Sequence, residues 1–221
     1  MSKSWLSSYI YYAGSVDELL IKAVKPFVQM ILGKGLAENY FFIRYWERGS
    51  HIRLRFKGET RLIEDVLKPE LESYFKDYFK QNPSERIEPS GMRDLPEEQQ
   101  WLPNDSVQFI DYEPEIERYG GLEGILVSER QFEFSSQSAL KVIGAETVRN
   151  YESAIGKAIQ MHLALSYAFD MSIDEMICFY SLVVETWLPK IVKHSFKFTE
   201  NENREEKEKT LGTLEESFIR R

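Results

Sequence analysis

The sequence predicts an α+β fold, in which a small, largely antiparallel sheet with packed helices is followed by a helical C-terminal half. Aromatic and β-branched runs in the N-terminal half are typical of strands. Apolar residues at helical spacing lie between those runs, so helices are expected to pack on the sheet. From Glu123 to about His194 the pattern is mainly helical, in about three segments.

The chain opens with a predicted strand and a predicted helix. Residues 5–12 are rich in aromatic and β-branched side chains and lack a helical stripe, so we expect a strand. Ser15 and Glu18 have the spacing of a capping box, which places the start of a helix at Ser15. Gly33 and Gly35 follow the apolar stripe of this helix and are expected to end it.

A β-hairpin is predicted next, because two strand-like runs flank Arg48-Gly49-Ser50. The second run alternates, so its apolar and its charged side chains are expected on opposite faces of the strand. The apolar set is Ile52, Leu54 and Phe56, and the charged set is His51, Arg53 and Arg55.

Residues 59–81 have an apolar stripe that predicts a second helix. Pro26 in the first helix and Pro69 in the second lack an amide hydrogen, and each is expected to kink or interrupt its helix. Residues 82–104 are polar and hold four prolines, which predicts a long loop. A short strand is expected over residues 107–112.

Length and composition favour one globular domain over residues 1–221, with residues 196–221 partly mobile. The net charge of −8 argues against direct nucleic-acid binding, which needs a basic surface to neutralise phosphates. The single cysteine, Cys178, excludes a disulfide within the chain and favours a reducing, cytoplasmic location. The N-terminus lacks the pattern of a signal peptide, and no segment approaches the roughly 18 apolar residues of a membrane span.

Arginines on the predicted hairpin are the first candidate for a functional site. Arg53 and Arg55 share one face of a strand, roughly 7 Å apart by strand rise. Arg44 lies on the partner strand and is expected to add to the group. A guanidinium offers a fixed fork of donors that matches a carboxylate. The alternative is a solvated strand face whose arginines pair with some of the 36 acidic residues.

The segment from Glu113 to Gly121 is the second candidate. Glu115 and Arg118 are three residues apart and would approach each other in a helix or turn. A carboxylate near arginines can orient a substrate or act as a base, whereas a plain surface ion pair contributes little. The sequence contains no metal-binding motif and no dinucleotide- or phosphate-binding motif, so neither a metal nor a cofactor is expected.

Four motifs, in order along the chain, carry a resemblance to a known family. They are Phe41-Phe-Ile-Arg-Tyr45, His51-Ile-Arg-Leu-Arg-Phe56, Tyr112-Glu-Pro-Glu-Ile-Glu-Arg-Tyr-Gly-Gly121, and Glu129-Arg-Gln-Phe132 leading into Ser135-Ser136. With Trp5 and the aromatic strand after it, these motifs make the chain over about residues 4–195 similar to the C-terminal domain of lantibiotic dehydratases. The same module occurs alone in thiopeptide-type bacteriocin biosynthesis proteins.

The resemblance implies one half of a two-step activity. Such dehydratases use glutamyl-tRNA to glutamylate Ser and Thr side chains of a precursor peptide, and a second domain then eliminates glutamate to leave dehydroalanine or dehydrobutyrine. In split systems the two steps lie on separate chains. This chain resembles only the eliminating part, so it is expected to be a stand-alone lyase-type subunit. Its expected partners are the glutamylated peptide, a separate tRNA-dependent glutamylation subunit and a lanthionine cyclase.

The resemblance also implies roles for individual residues. The arginines are expected to stabilise the negative charge that develops on the departing glutamate carboxylate. The family's elimination residues carry over onto the candidate catalytic residues Arg53, Arg55, Glu115 and Arg118. The candidate substrate-binding residues are Arg44, His51 and Tyr119.

One feature of the resembling family is not found. Its elimination domains carry a functional histidine near the C-terminal end, in a motif resembling His-Met followed shortly by Asn-Arg-Leu, and the sequence reaches Arg221 without it. Two further interpretations therefore stay open. One is a thiopeptide-type pyridine-forming cyclase, which joins two dehydroalanines. The other is a non-catalytic module that binds the precursor peptide at an exposed sheet edge.

Overall fold

The computed structural model of the protein describes residues 2–88, 91, 94, 96–144 and 151–198, with the backbone alone described for 151–154 and 187–198. The chain divides into two compact units, Met1–Lys157 and Ala158–Arg221. The first unit holds the sheet and the second is helical where it is described. The predicted α+β class is therefore confirmed. The single domain expected over residues 1–221 stays a prediction.

The described residues form a four-stranded antiparallel sheet in the order β2-β3-β1-β4. The predicted first strand and the predicted hairpin are both confirmed. The strand expected over residues 107–112 is shorter, because regular pairing with β1 ends at Phe109. The strands are β1 (Lys3–Tyr11), β2 (Asn39–Tyr45), β3 (His51–Glu59) and β4 (Ser106–Phe109).

The first helical segment starts at the predicted cap. Ser15 has an extended backbone, and its hydroxyl accepts a hydrogen bond from the Glu18 amide at 3.3 Å. Helix α1 (Val16–Leu19) leads through a π turn into α2 (Lys25–Gly33). Gly35, with φ of 68°, follows in the left-handed region that favours glycine. The predicted start and end of this helix are thus confirmed.

Pro26 and Pro69 each follow a π turn that interrupts the α-helix. A π turn at Leu20–Val24 precedes Pro26 in the first turn of α2. The second helical segment runs from α3 (Thr60–Leu62) through a π turn to α4 (Lys68–Gln81), with Pro69 in its first turn. A wider turn ahead of the proline accommodates its missing amide hydrogen and its ring, so each helix continues beyond it.

The core lies between these helices and one face of the sheet, the inner face. Ile52, Leu54 and Phe56 of β3 are fully buried there. They pack with apolar side chains of both helical segments, including Phe27 and Phe75. Because the side chains of a strand alternate, the charged positions of β3 are directed to the opposite, outer face.

A long helix, α5 (Gly121–Ile143), anchors the edge strand β2. The buried Ser136 hydroxyl accepts a hydrogen bond from the Phe42 amide at 3.0 Å and donates to the Phe42 carbonyl at 3.4 Å. Phe132, one turn earlier, contacts Phe41 with ring centroids 5.3 Å apart. The two Ser136 bonds satisfy backbone groups that an edge strand otherwise leaves open, and the ring contact adds apolar packing.

The second unit contains most of the predicted helical C-terminal half. Helix α6 (Tyr151–Ala168) and helix α7 (Ile173–Phe198) follow α5, which confirms the expected three helical segments. Within this unit the Ser166 and Tyr180 hydroxyls lie 2.7 Å apart. Most of the segment expected to be mobile, 199–221, lies outside the described residues. In the part of the chain that is described, no helix has the length and apolarity to cross a membrane.

Replacing Ser136 with alanine is expected to destabilise the first unit by about 1–3 kcal/mol, because the Phe42 amide would lose its partner in a buried position. Chemical denaturation followed by circular dichroism measures this change. Ser135→Ala is the matched control, since Ser135 is exposed on the same helix. An equal loss of stability in both variants would contradict the proposed role of the Ser136 hydroxyl.

Candidate functional site

The charged positions of β3 form a row on the outer face of the sheet. Strand pairing sets Tyr9 and Ile43 beside Arg53, and Ser7 and Phe41 beside Arg55. Directly paired residues of antiparallel strands share a face, so side chains from three strands surround each arginine. The prediction that the charged set lies opposite the apolar set is confirmed. We call His51, Arg53, Arg55 and Lys57 the outer-face row.

Arg53 is held between two aromatic rings. Its guanidinium carbon lies 3.6 Å from the ring centroid of Tyr45 and 4.6 Å from that of Tyr9. Its Nε donates to Nε2 of His51 at 3.2 Å, and one terminal nitrogen reaches the exposed Glu47 carboxylate at 3.5 Å. Stacking on aromatic faces orients a guanidinium while leaving its remaining donors available.

His51 is buried and fixes the position of Arg53. Its Nδ1 lies 2.8 Å from the Gly49 carbonyl, which can only accept, so Nδ1 carries the hydrogen. Its Nε2 therefore accepts the bond from Arg53. Burial is the main effect on the pKa of His51 and lowers it. The hydrogen bond to the Gly49 carbonyl raises this pKa, and the nearby Arg53 charge lowers it further. The expected substrate-binding His51 thus has both ring nitrogens engaged within the protein.

Arg55 is a buried cation with an aromatic surround. Only 7% of it is exposed, and its guanidinium carbon lies 4.3 Å from the Tyr112 ring centroid and 5.2 Å from that of Phe41. Its Nε lies 3.5 Å from the Ser7 hydroxyl. Burial lowers the pKa of Arg55, and the nearby Tyr9 and Tyr112 act in the opposite direction and raise it. Among the described residues, no carboxylate forms an ion pair with Arg55.

A buried guanidinium without an anion is costly, because its charge has lost water and gained no counterion. Such a group is suited to an anionic ligand, since its donors are already positioned and partly desolvated. The aromatic surround of Arg55 and the partly exposed Arg53 beside it are chemically suited to a carboxylate or a similar anion.

The second predicted segment follows Tyr112 along the chain. Arg118 donates to Glu115 at 2.9 Å, and both side chains are more than half exposed. The structure thus brings Arg53 and Arg55 together on the outer face, and it pairs Glu115 with Arg118 in the exposed segment after Tyr112.

Tyr119 connects this segment to the site through aromatic contacts. Its ring lies 5.3 Å from Phe132, which in turn contacts Phe41 beside Arg55. The Tyr119 hydroxyl also belongs to the surroundings that affect the pKa of Tyr112. Tyr119 therefore lies near the aromatic surround of Arg55, whereas its predicted role in substrate binding stays a prediction.

The expectation that Arg44 adds to the arginine group is wrong. Strand pairing sets Arg44 beside Ile52, whose side chain is fully buried on the inner face. Arg44 is therefore directed away from the outer-face row, and it forms an exposed ion pair with Asp17. The physical reason is the period of two along a strand, which places residues 43 and 45 beside the row and residue 44 opposite.

Three residues near the arginines were not predicted as site residues from the sequence: Lys57, Tyr112 and Glu129. Lys57 continues the alternation of Arg53 and Arg55, so its place in the row was readable from the period of two. Its Nζ lies 3.3 Å from Glu129, whose side chain is only 10% exposed. The pKa of Tyr112 is raised to about 12, first by burial and next by the Glu129 carboxylate. This carboxylate accepts a hydrogen bond from the Tyr112 hydroxyl. Glu129 and Tyr112 open two of the recognised motifs, which was the available signal.

A cleft lies beside this group, between the outer face of the sheet and α5. Its volume is about 360 Å³. Trp5 and Lys57 line it from the sheet, and Glu129 and Arg130 line it from α5. The Trp5 ring contacts both Phe41 and Tyr112, at 5.2 and 5.6 Å, so the cleft adjoins the aromatic surround of Arg55.

With this fold and site, the chain belongs to the family described as the lantibiotic biosynthesis dehydratase C-terminal domain, whose model matches residues 5–220. The recognition made from the motifs is thereby confirmed. Membership indicates a function of the lantibiotic dehydratase type in peptide biosynthesis. No curated protein sequence matches the chain.

Solved structures agree with this assignment. The chain is similar to the tRNA-dependent lantibiotic dehydratase MibB from Microbispora sp. 107891, with 26% identity and a TM-score of 0.50, over 63% of this chain and 12% of that one. It thus spans a small part of that dehydratase. The pyridine synthase TbtD from thiomuracin biosynthesis shares 18% identity at a TM-score of 0.63, over 98% of this chain and 67% of that one. TsrL shares 15% identity at a TM-score of 0.57, over 99% of this chain and 55% of that one. The last two likenesses concern the fold alone.

Acid is expected to destabilise the protein through His51. Since its pKa in the folded state lies below the ordinary value of about 6.5, the unfolded chain binds the proton first as the pH falls. The free energy of unfolding should therefore decrease as the pH falls below about 6.5. In His51→Gln this decrease should be smaller, because glutamine can accept from Arg53 and donate to Gly49 without titrating.

Urea denaturation at about pH 8 and about pH 5.5 measures the difference. His162→Gln is the control, because His162 is exposed. The same pH dependence in the wild-type protein and in His51→Gln would show that His51 does not carry the effect.

Proposed function

We propose that the chain eliminates glutamate from glutamylated Ser and Thr side chains of a precursor peptide, which leaves dehydroalanine and dehydrobutyrine. The buried Arg55 guanidinium, which forms no ion pair with a carboxylate of the described residues, is the observation that carries this proposal. The leaving group of this reaction is a carboxylate, the anion that a guanidinium binds best. Membership of the dehydratase C-terminal family supports the assignment.

The reaction requires the release of one proton and one carboxylate. A base takes the proton from the α-carbon of the modified residue, and the electron pair of that bond forms the double bond to the β-carbon. The bond from the β-carbon to the ester oxygen breaks, and its electrons leave with the glutamate carboxylate. Arg53 and Arg55 stabilise the charge that grows on that carboxylate in a site shielded from water.

The surroundings of the two arginines serve to hold them in place. Tyr9 and Tyr45 sandwich Arg53, and His51 fixes its Nε. His51 is accordingly a positioning residue in this proposal, since it acts through Arg53. Donors fixed before the reaction do not need to reorganise as charge develops, which is the basis of electrostatic catalysis by a folded site.

Glu115 and Arg118 enter the proposal from the family motif. They are exposed and form an ion pair on the segment after Tyr112. We assign them a catalytic role at the peptide side of the site, with Tyr119 as a substrate-binding residue. Arg44 has no role in this proposal, because it lies on the opposite side of the sheet.

The proposal includes a separate tRNA-dependent glutamylation subunit, because elimination requires a peptide that has already been glutamylated. A lanthionine cyclase acting afterwards is a further proposed partner. We place the reaction in the cytoplasm, where glutamyl-tRNA is available to the first step. The chain itself takes the peptide and not the tRNA, in keeping with its net charge of −8.

A pyridine-forming cyclase is the second candidate, since the pyridine synthase TbtD has a similar fold over 98% of this chain. Joining two dehydroalanines releases no glutamate, so it gives the Arg55 guanidinium no leaving carboxylate to bind. Incubation with a glutamylated peptide separates the two functions: loss of glutamate supports elimination, and an unchanged peptide mass supports the cyclase or a binding module.

Arg55→Met is expected to lower the rate of elimination about 10²–10³-fold, because a donor to the developing carboxylate is lost. The folded state should be as stable as the wild type or more stable, since an apolar side chain of similar size replaces an unpaired buried charge. Mass spectrometry of a glutamylated peptide measures the rate, and thermal denaturation measures the stability.

Arg61→Met is the matched control, because Arg61 is exposed on α3, away from the outer face. It should keep the wild-type rate. Full dehydration of the peptide by Arg55→Met at that same rate would refute the assignment of Arg55.

A further inference from the structure

The cleft is linked to the proposed reaction site through Tyr112, which contacts Arg55 and two residues of the cleft lining. Trp5 and Glu129 line the cleft, and both contact Tyr112, Trp5 through its ring and Glu129 through the Tyr112 hydroxyl. Arg55 also contacts Tyr112, with its guanidinium carbon 4.3 Å from the ring centroid. Tyr112 is therefore shared between Arg55 and the cleft, so a ligand held at Arg55 can extend past this ring toward the cleft.

The cleft carries charges of both signs. Lys57 contributes a cation from the sheet, Arg130 contributes another from α5, and Lys3 and Glu38 line the cleft as an ion pair at 2.7 Å. Glu129 contributes a carboxylate that is 10% exposed and 3.3 Å from Lys57. Arg130 is exposed and forms no ion pair with a described residue. Its charge opposes the rise that burial causes in the pKa of Glu133, so a carboxyl of α5 lies near it.

The departing group has matching charges. An aminoacyl-tRNA carries its amino acid through the α-carboxyl group, so a peptide glutamylated from it bears an ester of that carboxyl. The glutamyl group then keeps a free α-ammonium and a free side-chain carboxylate. Once the α-carboxylate leaves at Arg53 and Arg55, the two remaining charges extend away from it, one positive and one negative.

We propose that the cleft between Trp5, Lys57, Glu129 and Arg130 is the specificity pocket for this acyl group. Glu129 receives the α-ammonium, Lys57 and Arg130 receive the side-chain carboxylate, and Trp5 packs against the carbon chain between them. The pocket distinguishes glutamate from other amino acids. This inference rests on the proposed elimination, because it takes the scissile carboxylate to be at Arg55.

The dimensions agree with that assignment. Lys57 lies two residues beyond Arg55 on one face of a strand, about 7 Å along it. The two carboxylates of glutamate are separated by three carbon atoms, so one molecule can reach both cations. A volume of about 360 Å³ is at the lower end of small-ligand sites, which suits one amino acid.

The competing explanation is that Lys57 and Glu129 only anchor α5 to the sheet. The two roles differ in their dependence on the ligand, because an anchoring pair affects every substrate equally. A specificity pocket affects only ligands that carry the charge it binds. The acyl group of the substrate is therefore the variable to change.

The test uses the full chain and three peptides that differ in the ester on one serine. Glutamyl carries both charges, glutaminyl lacks the carboxylate, and glutaryl lacks the ammonium. Lys57→Met and Arg130→Met should each lower kcat/KM for the glutamyl peptide at least about tenfold and leave the glutaminyl peptide nearly unchanged. Glu129→Gln should lower kcat/KM for the glutamyl peptide and leave the glutaryl peptide nearly unchanged.

Lys80→Met is the matched control, because Lys80 is an exposed lysine of α4, paired with Asp77. It should leave all three rates unchanged. Arg130→Met guards against misfolding, since Arg130 is exposed and its loss strips no partner from a buried group. Equal losses for all three peptides in the Lys57, Glu129 and Arg130 variants would overturn the specificity pocket in favour of an anchoring role.

Calorimetric titration with free L-glutamate and L-glutamine separates this inference from the proposed function. Preferential binding of glutamate that is lost in Lys57→Met and Arg130→Met supports the pocket, even if no elimination is observed. Elimination without any preference for glutamate, in either rate or binding, supports the proposed function and refutes the pocket.

Discussion

The burial of the Arg55 guanidinium on the outer face of the sheet is the constraint on which the site depends. Its neighbours come from three separate segments: Ser7 from β1, Phe41 from β2 and Tyr112 from the chain after β4. The position of one cation thus requires the register of both strand pairs and the return of the chain. Because this charge has lost water without gaining a described carboxylate, an anionic ligand is the group that would complete it.

One face of β3 packs into the apolar core, and the other face carries the charged residues of the candidate site. Leu54 and its neighbours at alternate positions are fully buried in the core, whereas Arg53 and Arg55 face the other way. A shift of register by one residue would exchange the faces, so the apolar core also holds the arginines in place. Helix α5 contributes to both, since Ser136 bonds the edge strand and Glu129 reaches Lys57.

The outer-face row changes in character along the strand. His51 is neutral and engaged within the protein, Arg53 is sandwiched by aromatic rings, and Arg55 is buried without a described carboxylate. Lys57 follows with a carboxylate partner from α5. In the proposed reaction this order runs from the groups that position the arginines, through those that bind the leaving carboxylate, to those that recognise the rest of the glutamyl group.

The sequence by itself determined the elements, the alternation and the family. The cap at Ser15, the interruptions near Pro26 and Pro69, and the face shared by Arg53 and Arg55 follow from rules that span a few residues. Tertiary structure alone decided what those residues meet. It placed Arg44 on the wrong side for the group, engaged both nitrogens of His51, and joined Lys57 to Glu129 across 72 positions. The reason is physical: local periodicity sets which way a side chain faces, whereas strand register and helix packing set its neighbours.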